Sequence, residues 1–103
     1  MMNDASQDAR QEIQREEGPG GGRYVIRLGG GAEAELSYQR RGDGPFVVTH
    51  TGVPPAFEGR GIAARLVDAL IADARAEGFK ITPLCSYVAT QFRRHPEWQD
   101  LRA

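Results

Sequence analysis

Two glycines separated by one residue lie where the most regular helix pattern of the chain begins. Gly59 and Gly61 occur in EGRGIA, directly before a run with apolar residues every three or four positions. A glycine inside a helix costs about 1 kcal/mol relative to alanine, so another requirement must favour the bare backbone. The first N–H groups of a helix lack intrahelical acceptors and carry partial positive charge, and glycine lets a phosphate approach them. The pair therefore indicates either a phosphate-binding helix start or a tight turn from strand to helix.

The spacing of these glycines formally fits the dinucleotide-binding pattern G-x-G-x-x-A, through Gly59, Gly61 and Ala64. In that motif the strand runs straight into the glycines, and an acidic residue ends the next strand. Here residues 53–57 intervene with two prolines, and the next predicted strand ends in PLC. A P-loop is also absent, since no glycine is followed by Lys and then Ser or Thr. These two classes of nucleotide site are therefore disfavoured.

The first half of the chain, which must position the glycines, has the pattern of an antiparallel meander. The stretch QEIQRE is a weak candidate for a first strand, and RYVIRL alternates well enough for a second. Gly29–Gly31 supplies the permissive backbone of a turn. The stretch AEAELSYQR then alternates strictly, which predicts one buried and one wet face. PFVVTHT is more continuously apolar, which suggests a central strand.

The second half predicts helix, strand and helix. Ile62, Leu66, Leu70 and Ala74 recur at four-residue spacing, and Gly78 is well placed to end that helix in a left-handed conformation. FKITPLC follows as a strand and SYVATQFRRH as a second helix, with its first serine as a candidate N-cap. The segment GVPPAF, with adjacent prolines, predicts an irregular connection. The fold class is therefore α/β (α+β), a mixed sheet of antiparallel N-terminal strands followed by a parallel, right-handed βαβ crossover and a C-terminal helix.

The bulk properties limit the function classes. The chain has 103 residues, 40% hydrophobic and 26% charged, with net charge −1. This predicts one domain, at residues 11–103, after a disordered tail at residues 1–10. The charge gives no general attraction to nucleic acid or membranes, and no apolar run approaches the ~20 residues of a membrane span. The N-terminus lacks a signal-peptide pattern, so a cytoplasmic location is expected. A single cysteine and two histidines make a metal site unexpected, and the oligomeric state is not indicated.

The stretch EGRGIA, within a wider pattern, resembles the acetyl-CoA signature of the GCN5-related N-acetyltransferases. That signature, Gln/Arg-x-x-Gly-x-Gly/Ala, is matched at Gly61 and Ala63, with Glu58 at its first position in place of Gln or Arg. The letters HT-V before the loop, and LCSYV and HPEW after it, are similar to the very small, stand-alone branch of the family. The resemblance covers about residues 23–101.

The resemblance implies a fold in which the fourth strand, ending in residues 50–53, and the fifth, at residues 79–84, splay apart. The pantetheine arm of acetyl-CoA would lie in that gap, and its pyrophosphate would contact the backbone amides of the glycine loop. The implied cofactor-binding residues are Thr51, Gly52, Val53, Glu58, Gly59, Arg60, Gly61, Ile62 and Ala63. The implied function is an acetyl-CoA-dependent N-acetyltransferase that moves an acetyl group to an amine acceptor. The alternative is a non-catalytic module that binds acetyl-CoA or CoA as a sensor.

By the same resemblance, Cys85 and His50 are the candidate catalytic residues. Cys85 ends the fifth strand, near the expected thioester, where it could protonate the leaving thiolate or carry the acetyl group as a nucleophile; packing is the other interpretation. His50 could serve as the base, although the sequence does not show which face of its strand meets the gap. Tyr87 could donate a proton from its phenol, with packing as its other role. His95 to Trp98 is interpreted as a helix stop followed by an aromatic anchor.

Overall fold

A computed structural model of the protein describes residues 13–103. The predicted disordered tail at residues 1–10 lies outside the described residues, as do the first two residues of the predicted domain. No helix in the described part of the chain combines the length and apolar character needed to span a bilayer.

Five strands form one sheet in the order in which they occur along the chain. The strands are β1 (Ile13–Gly18), β2 (Gly21–Arg27), β3 (Glu33–Gln39), β4 (Phe46–Gly52) and β5 (Ile81–Pro83). The first four pair antiparallel, and β5 pairs parallel with β4. The predicted mixed sheet is confirmed. The fifth strand is shorter than the predicted residues 79–84, because the ring of Phe79 stacks on Phe46 in the core and the chain leaves the ladder after Pro83.

Two α-helices pack on one face of the sheet. Helix α1 (Ile62–Glu77) connects β4 to β5, and α2 (Ser86–Arg94) follows β5. Gly78 ends α1 in the left-handed conformation, with φ of 83° and its N–H 2.8 Å from the Ala74 carbonyl, as predicted. Short 3-10 helices cover Gly29–Gly31, Pro55–Phe57 and Pro96–Leu101.

Two local predictions about helix ends and connections were wrong. The proline-containing connection before α1 is not wholly irregular, because Pro55 begins a 3-10 turn in which Phe57 N–H bonds to the Pro54 carbonyl at 2.9 Å. The N-cap of α2 is Cys85 and not Ser86, because Cys85 is still extended, with φ of −69° and ψ of 130°.

The core lies between the helices and the inward face of the sheet. The alternation in β3 is confirmed, since Ala34, Leu36 and Tyr38 are buried. Trp98 is also buried and meets Phe92 edge-on at 5.5 Å between ring centroids, so the aromatic anchor is confirmed. The other buried side chains of this core include Tyr24, Ile26, Phe46, Val48, Leu66, Leu70, Ile71, Phe79, Ile81, Val88 and Leu101.

The opposite face of the sheet is wet and carries ion pairs. Arg23 of β2 lies within 3.0 Å of carboxylate oxygens of Glu16, Glu33 and Glu35, which belong to the strands on both sides. Opposite charges on directly neighbouring strands stabilise an antiparallel sheet modestly. This face is therefore charged and solvent-exposed, whereas the helical face is apolar and buried. Each side chain of β4 lies on one of these two faces.

Candidate active site

The last two strands of the sheet, β4 and β5, diverge after three residue pairs. Pairing between the two strands ends at Val48 and Pro83. The Val48 carbonyl then accepts the N–H groups of both Leu84 and Cys85, each at 3.0 Å, which turns the chain away from β4. Residues 49–52 of β4 continue past the last pair, so their edge toward β5 is open in the described chain. The predicted splay is confirmed.

A β-bulge lies at the point where the strands diverge. On the other side of β4, Tyr38 pairs with Val48, whereas the neighbouring Ser37 pairs with His50, so Thr49 is an extra residue in β4. A bulge bends its strand and increases the local twist. The bend therefore begins directly after the last residue that pairs with β5, which accounts for the divergence.

The bulge also decides which side chains face the helices. Thr51 pairs with Leu36, which is fully buried, so Thr51 lies on the helical face. His50 pairs with Ser37 and lies on the wet face, where its side chain is exposed. The two neighbouring residues thus face opposite sides of the sheet.

The start of α1 presents backbone donors without a capping side chain. Gly59 and Gly61 both adopt left-handed φ angles, of 80° and 75°, and a Cβ on either would contact no atom within 4 Å. Gly61 is the N-cap, and the first intrahelical bond runs from Arg65 N–H to its carbonyl at 3.1 Å. The N–H groups from Gly61 to Ala64 therefore lack intrahelical acceptors, and the first turn contains no acidic residue. The glycines permit both the left-handed turn and close approach to these donors.

A pocket of about 340 Å³ lies between the open edge of β4 and the start of α1. Its volume is within the range of small-molecule sites. It is lined by Thr51, Val53, Phe57, Glu58, Gly59, Gly61, Ile62, Ala63, Ala64 and Tyr87. This set contains no lysine or arginine, so an anionic group bound here would depend on the backbone amides and the positive end of the α1 dipole.

Cys85 does not itself line the pocket, but its side chain contacts Thr51, which does. Its Sγ is 3.4 Å from Thr51 Oγ1, and its backbone is the N-cap of α2. Burial raises the pKa of the Cys85 thiol, but the Thr51 hydroxyl and the backbone N–H groups of Val88 and Tyr87 outweigh it, so the pKa is lowered from its ordinary value. A helix N-terminus stabilises a thiolate in the same way. The thiol is half-buried, so it is neither inert in the core nor freely solvated.

Tyr87, in the first turn of α2, lines the pocket together with the glycines of the loop. Burial, with a smaller contribution from the charge of Asp68, raises the pKa of its phenol. The phenol therefore stays protonated at neutral pH and can donate a hydrogen bond or a proton. Its side chain also packs against the core, so both roles considered for it are compatible with its position.

The structure brings together most of the predicted cofactor residues, but not all. Seven of the nine line the pocket, and the exceptions are Gly52 and Arg60. Gly52 lies in β4 between two lining residues, and the Arg60 guanidinium lies over the Phe57 ring, 5.2 Å from its centroid. His50 is separated from the pocket by the thickness of the strand. Phe57 and Ala64 were missed as lining residues, although Ala64 occupies the last position of the G-x-G-x-x-A pattern.

The sequence pattern of one family matches residues 23–101, and that family is described as the GCN5-related N-acetyl-transferases. This is more than half of the chain, and it includes the open strand, the glycine loop and Cys85. The chain belongs to the GCN5-related N-acetyltransferase family. The resemblance drawn from the residues is therefore confirmed, and membership in the family supports acetyltransferase activity.

Solved structures share this fold. Among them is an NMR structure of a GCN5-like putative N-acetyltransferase from Staphylococcus aureus, with a TM-score of 0.66 and 24% sequence identity. The similarity covers 89% of each chain. Among the curated proteins, no match was found. The mixed sheet with a parallel β4–β5 pair is thus that of a known GCN5-like protein.

Proposed function

We propose that this protein is an acetyl-CoA-dependent N-acetyltransferase that moves the acetyl group to an amine acceptor. The observation that supports this best is the continuity between two features of the pocket. The open edge of β4 supplies unpaired backbone groups suited to an amide-rich chain, and the start of α1 supplies unpaired N–H groups suited to a pyrophosphate. An extended ligand with amides at one end and phosphates at the other fits that order.

This geometry supports an assignment of the residues that would hold acetyl-CoA. Backbone groups of residues 51–53 would bind the pantetheine arm, and the amides of Gly59 and of residues 61–63 would bind the pyrophosphate. Glu58 contributes a carboxylate to the pocket wall, which disfavours an anion near its side chain. The pyrophosphate would therefore lie toward the helix axis, over Gly61. Arg60 is outside the lining, but it lies between Gly59 and Gly61 in the same loop, so its charge would attract the ligand's phosphates.

Bound acetyl-CoA would supply an acetyl group activated as a thioester. In this proposal Cys85 either donates a proton to the leaving thiolate or accepts the acetyl group on its own sulfur. The lowered pKa of its thiol makes the thiolate available for the second role. Because the phenol of Tyr87 stays protonated at neutral pH, it is a second candidate for the proton donor in this proposal.

The test of this function combines binding with transfer. Acetyl-CoA should raise the melting temperature, because a ligand at a hundredfold excess over its dissociation constant stabilises the native state by about 2.7 kcal/mol. Transfer is measured by mass spectrometry of a lysine peptide, a peptide with a free α-amine and an aliphatic polyamine. An unchanged melting temperature up to millimolar acetyl-CoA would contradict the proposal. Binding without transfer to any amine would favour the sensor.

The glycine loop has a matched set of variants. Gly61→Asp should abolish CoA binding in a folded protein, because its carboxylate would lie at the helix start and repel the phosphates. Gly61→Asn has the same shape without the charge, and Gly78→Asn places the same left-handed strain at the other end of α1. Titration calorimetry should give the order Gly78→Asn, Gly61→Asn, Gly61→Asp from strongest to weakest binding. Equal affinities for all three would show that the glycines serve only the turn.

A further inference from the structure

A second pocket lies toward the other end of the sheet from the pocket between β4 and α1. This hairpin pocket has a volume of about 220 Å³ and lies beside the β1–β2 turn, where its lining residues include Glu17, Gly18, Gly21, Tyr38, Arg40 and Gly42. Tyr38 pairs with Val48 in the first half of β4, whereas Thr51 of the β4–α1 pocket lies near the end of that strand. The volume is below that of sites for drug-sized molecules, so the ligand of the hairpin pocket must be small.

Two glycines at the start of β2 let Tyr38 lie across the hairpin. A Cβ atom on Gly22 would be 2.8 Å from the Tyr38 hydroxyl, and one on Gly21 would collide with the Tyr38 carbonyl oxygen. The Tyr38 ring is buried and stacks on Phe46 at 4.3 Å between centroids. Its hydroxyl donates to the Glu17 carboxylate at 2.5 Å. This side of the hairpin pocket is therefore held in place by packing and by a hydrogen bond.

Arg40 brings a positive charge to the hairpin pocket. Its Nε donates to the Gly44 carbonyl at 2.8 Å, and its guanidinium lies over the Phe46 ring, 4.8 Å from the centroid. Its terminal amino groups have no hydrogen-bond partner among the described residues. The nearby Arg15 differs, because its guanidinium pairs with three carboxylates. Arg40 is therefore held in position while its terminal donors stay available to a ligand.

Glu17 brings the opposite charge to the same pocket. Its Oε2 accepts hydrogen bonds from the Tyr38 hydroxyl and from Arg15 Nε, the latter at 2.9 Å. The hydrogen bonds of the described structure leave its Oε1 unused, and the side chain is 47% exposed. The Tyr38 hydroxyl and Arg15 lower the pKa of Glu17, and the charge of Arg40 adds to this, so the two lining charges lie near each other.

We propose that the hairpin pocket binds a small zwitterion of the α-amino acid type, with its carboxylate on Arg40 and its ammonium group on Glu17. A guanidinium donates two parallel hydrogen bonds to a carboxylate, and a carboxylate oxygen accepts from an ammonium group. An inorganic anion would be attracted by Arg40 but repelled by Glu17, and a simple amine the reverse. An α-amino acid satisfies both charges at once. This inference is independent of the proposed acetyl transfer.

The test compares L-alanine with propionate, which lacks the ammonium group, and with ethylamine, which lacks the carboxylate. Binding to the full chain is followed by proton–nitrogen NMR at neutral pH and constant ionic strength. The backbone amides of Gly18, Gly21 and Gly42 report on the hairpin pocket, and those of Gly59 and Gly61 report on the β4–α1 pocket in the same spectrum.

The expected result is a saturable movement of the three hairpin-pocket signals with L-alanine, while the two loop signals stay in place. Propionate and ethylamine should each bind at least about tenfold more weakly, because each loses the hydrogen bonds of one charged group. This comparison uses the wild type alone, so it does not depend on any variant folding.

Three variants assign the two charges. Arg40→Gln and Glu17→Gln should each weaken L-alanine binding by about tenfold or more, because each removes one charged partner. Arg41→Gln is the matched control, since Arg41 is adjacent in the chain, exposed and outside the described lining. Its affinity for L-alanine should equal that of the wild type. Thermal melts establish that each variant is folded.

Four results would overturn the inference. The absence of saturable movement with L-alanine would show that the hairpin pocket does not bind it. Propionate binding as tightly as L-alanine would make the pocket an anion site. Equal weakening by Arg41→Gln and Arg40→Gln would reduce the effect to general charge attraction. Movement confined to Gly59 and Gly61 would place the ligand in the β4–α1 pocket. None of these measurements involves acetyl transfer, so they are separate from failure of the proposed function.

Discussion

Replacing Thr51 by valine should make Cys85 less acidic. The Cys85 thiol donates to the Thr51 hydroxyl at 3.4 Å, and the same hydroxyl can turn to donate to the thiolate, which lowers the pKa of the thiol. Valine keeps the shape of threonine and removes only the hydroxyl, and both residues suit a strand. The thiolate should therefore lose a donor while the fold is kept, and the pKa of the thiol should rise toward its ordinary value.

The size of the effect follows from the geometry of this contact. A hydrogen bond to a charged group contributes about 1.5–3 kcal/mol, and 3.4 Å to a sulfur suggests the lower end of that range. A change of about 1.4 kcal/mol corresponds to a tenfold smaller thiolate fraction below the pKa. A more basic thiolate is also a better nucleophile, which offsets roughly half of that loss on a logarithmic scale. Alkylation at neutral pH should therefore slow by about threefold.

The assay is the rate of iodoacetamide alkylation as a function of pH, followed by intact mass. Cys85 is the single cysteine of the chain, so each adduct reports this site alone. Thr49→Val is the matched control, because Thr49 is in the same strand but directs its hydroxyl to the Ser37 carbonyl at 3.5 Å. If the Thr51→Val profile coincides with those of the wild type and the control, the hydroxyl does not stabilise the thiolate and the reasoning is refuted.

Two further variants test the pocket chemistry and the acid stability of the fold. If the thiol acts as an acid, Cys85→Ala should lower turnover by about 10²–10⁴-fold with little change in acetyl-CoA affinity. If the thiol is the nucleophile, intact mass should show an acetyl adduct on the wild type and none on the variant. Wild-type turnover in the variant would leave Cys85 only a packing role. A hydrogen bond from the Tyr38 hydroxyl, and a smaller contribution from a hydrogen bond to Arg15, lower the pKa of Glu17. The ionised carboxylate therefore stabilises the fold at pH values above its ordinary pKa. This stabilisation is lost as the pH falls through the lower pKa of the native state. Urea unfolding at pH 6 and pH 3 should therefore show a smaller acid-induced loss for Glu17→Gln than for the wild type, and equal losses would contradict this.

Much of the fold was predictable because it depends on local patterns. The alternation of β3, the four-residue spacing of α1 and its stop at Gly78 each follow from nearest neighbours along the chain. The glycine loop was predictable for the same reason, since its two left-handed residues and the helix behind them are contiguous. Seven of the nine predicted cofactor residues line the pocket as a result.

The remaining features depend on contacts between distant segments. The faces of β4 could not be read, because Thr49, His50 and Thr51 are all polar and give no alternation to follow. The extra residue is visible only in the pairing with β3. The end of β5 is likewise set by the Val48 carbonyl, which accepts two successive N–H groups and so ends the ladder after three residues. Tyr87 was named from the sequence as a candidate proton donor, but its place in the pocket depends on a helix that follows the crossover.

The bulge at Thr49 makes the opening of this site depend on the number of residues in β4. With Thr49 retained but no bulge, strict alternation would place His50 among the helices and Thr51 in solvent. Deleting Thr49 would leave both side chains on their present faces, yet it would straighten the strand and allow pairing with β5 to continue. Position 49 should therefore tolerate almost any side chain, but no insertion or deletion. A deletion there would close the gap without altering one residue that lines it.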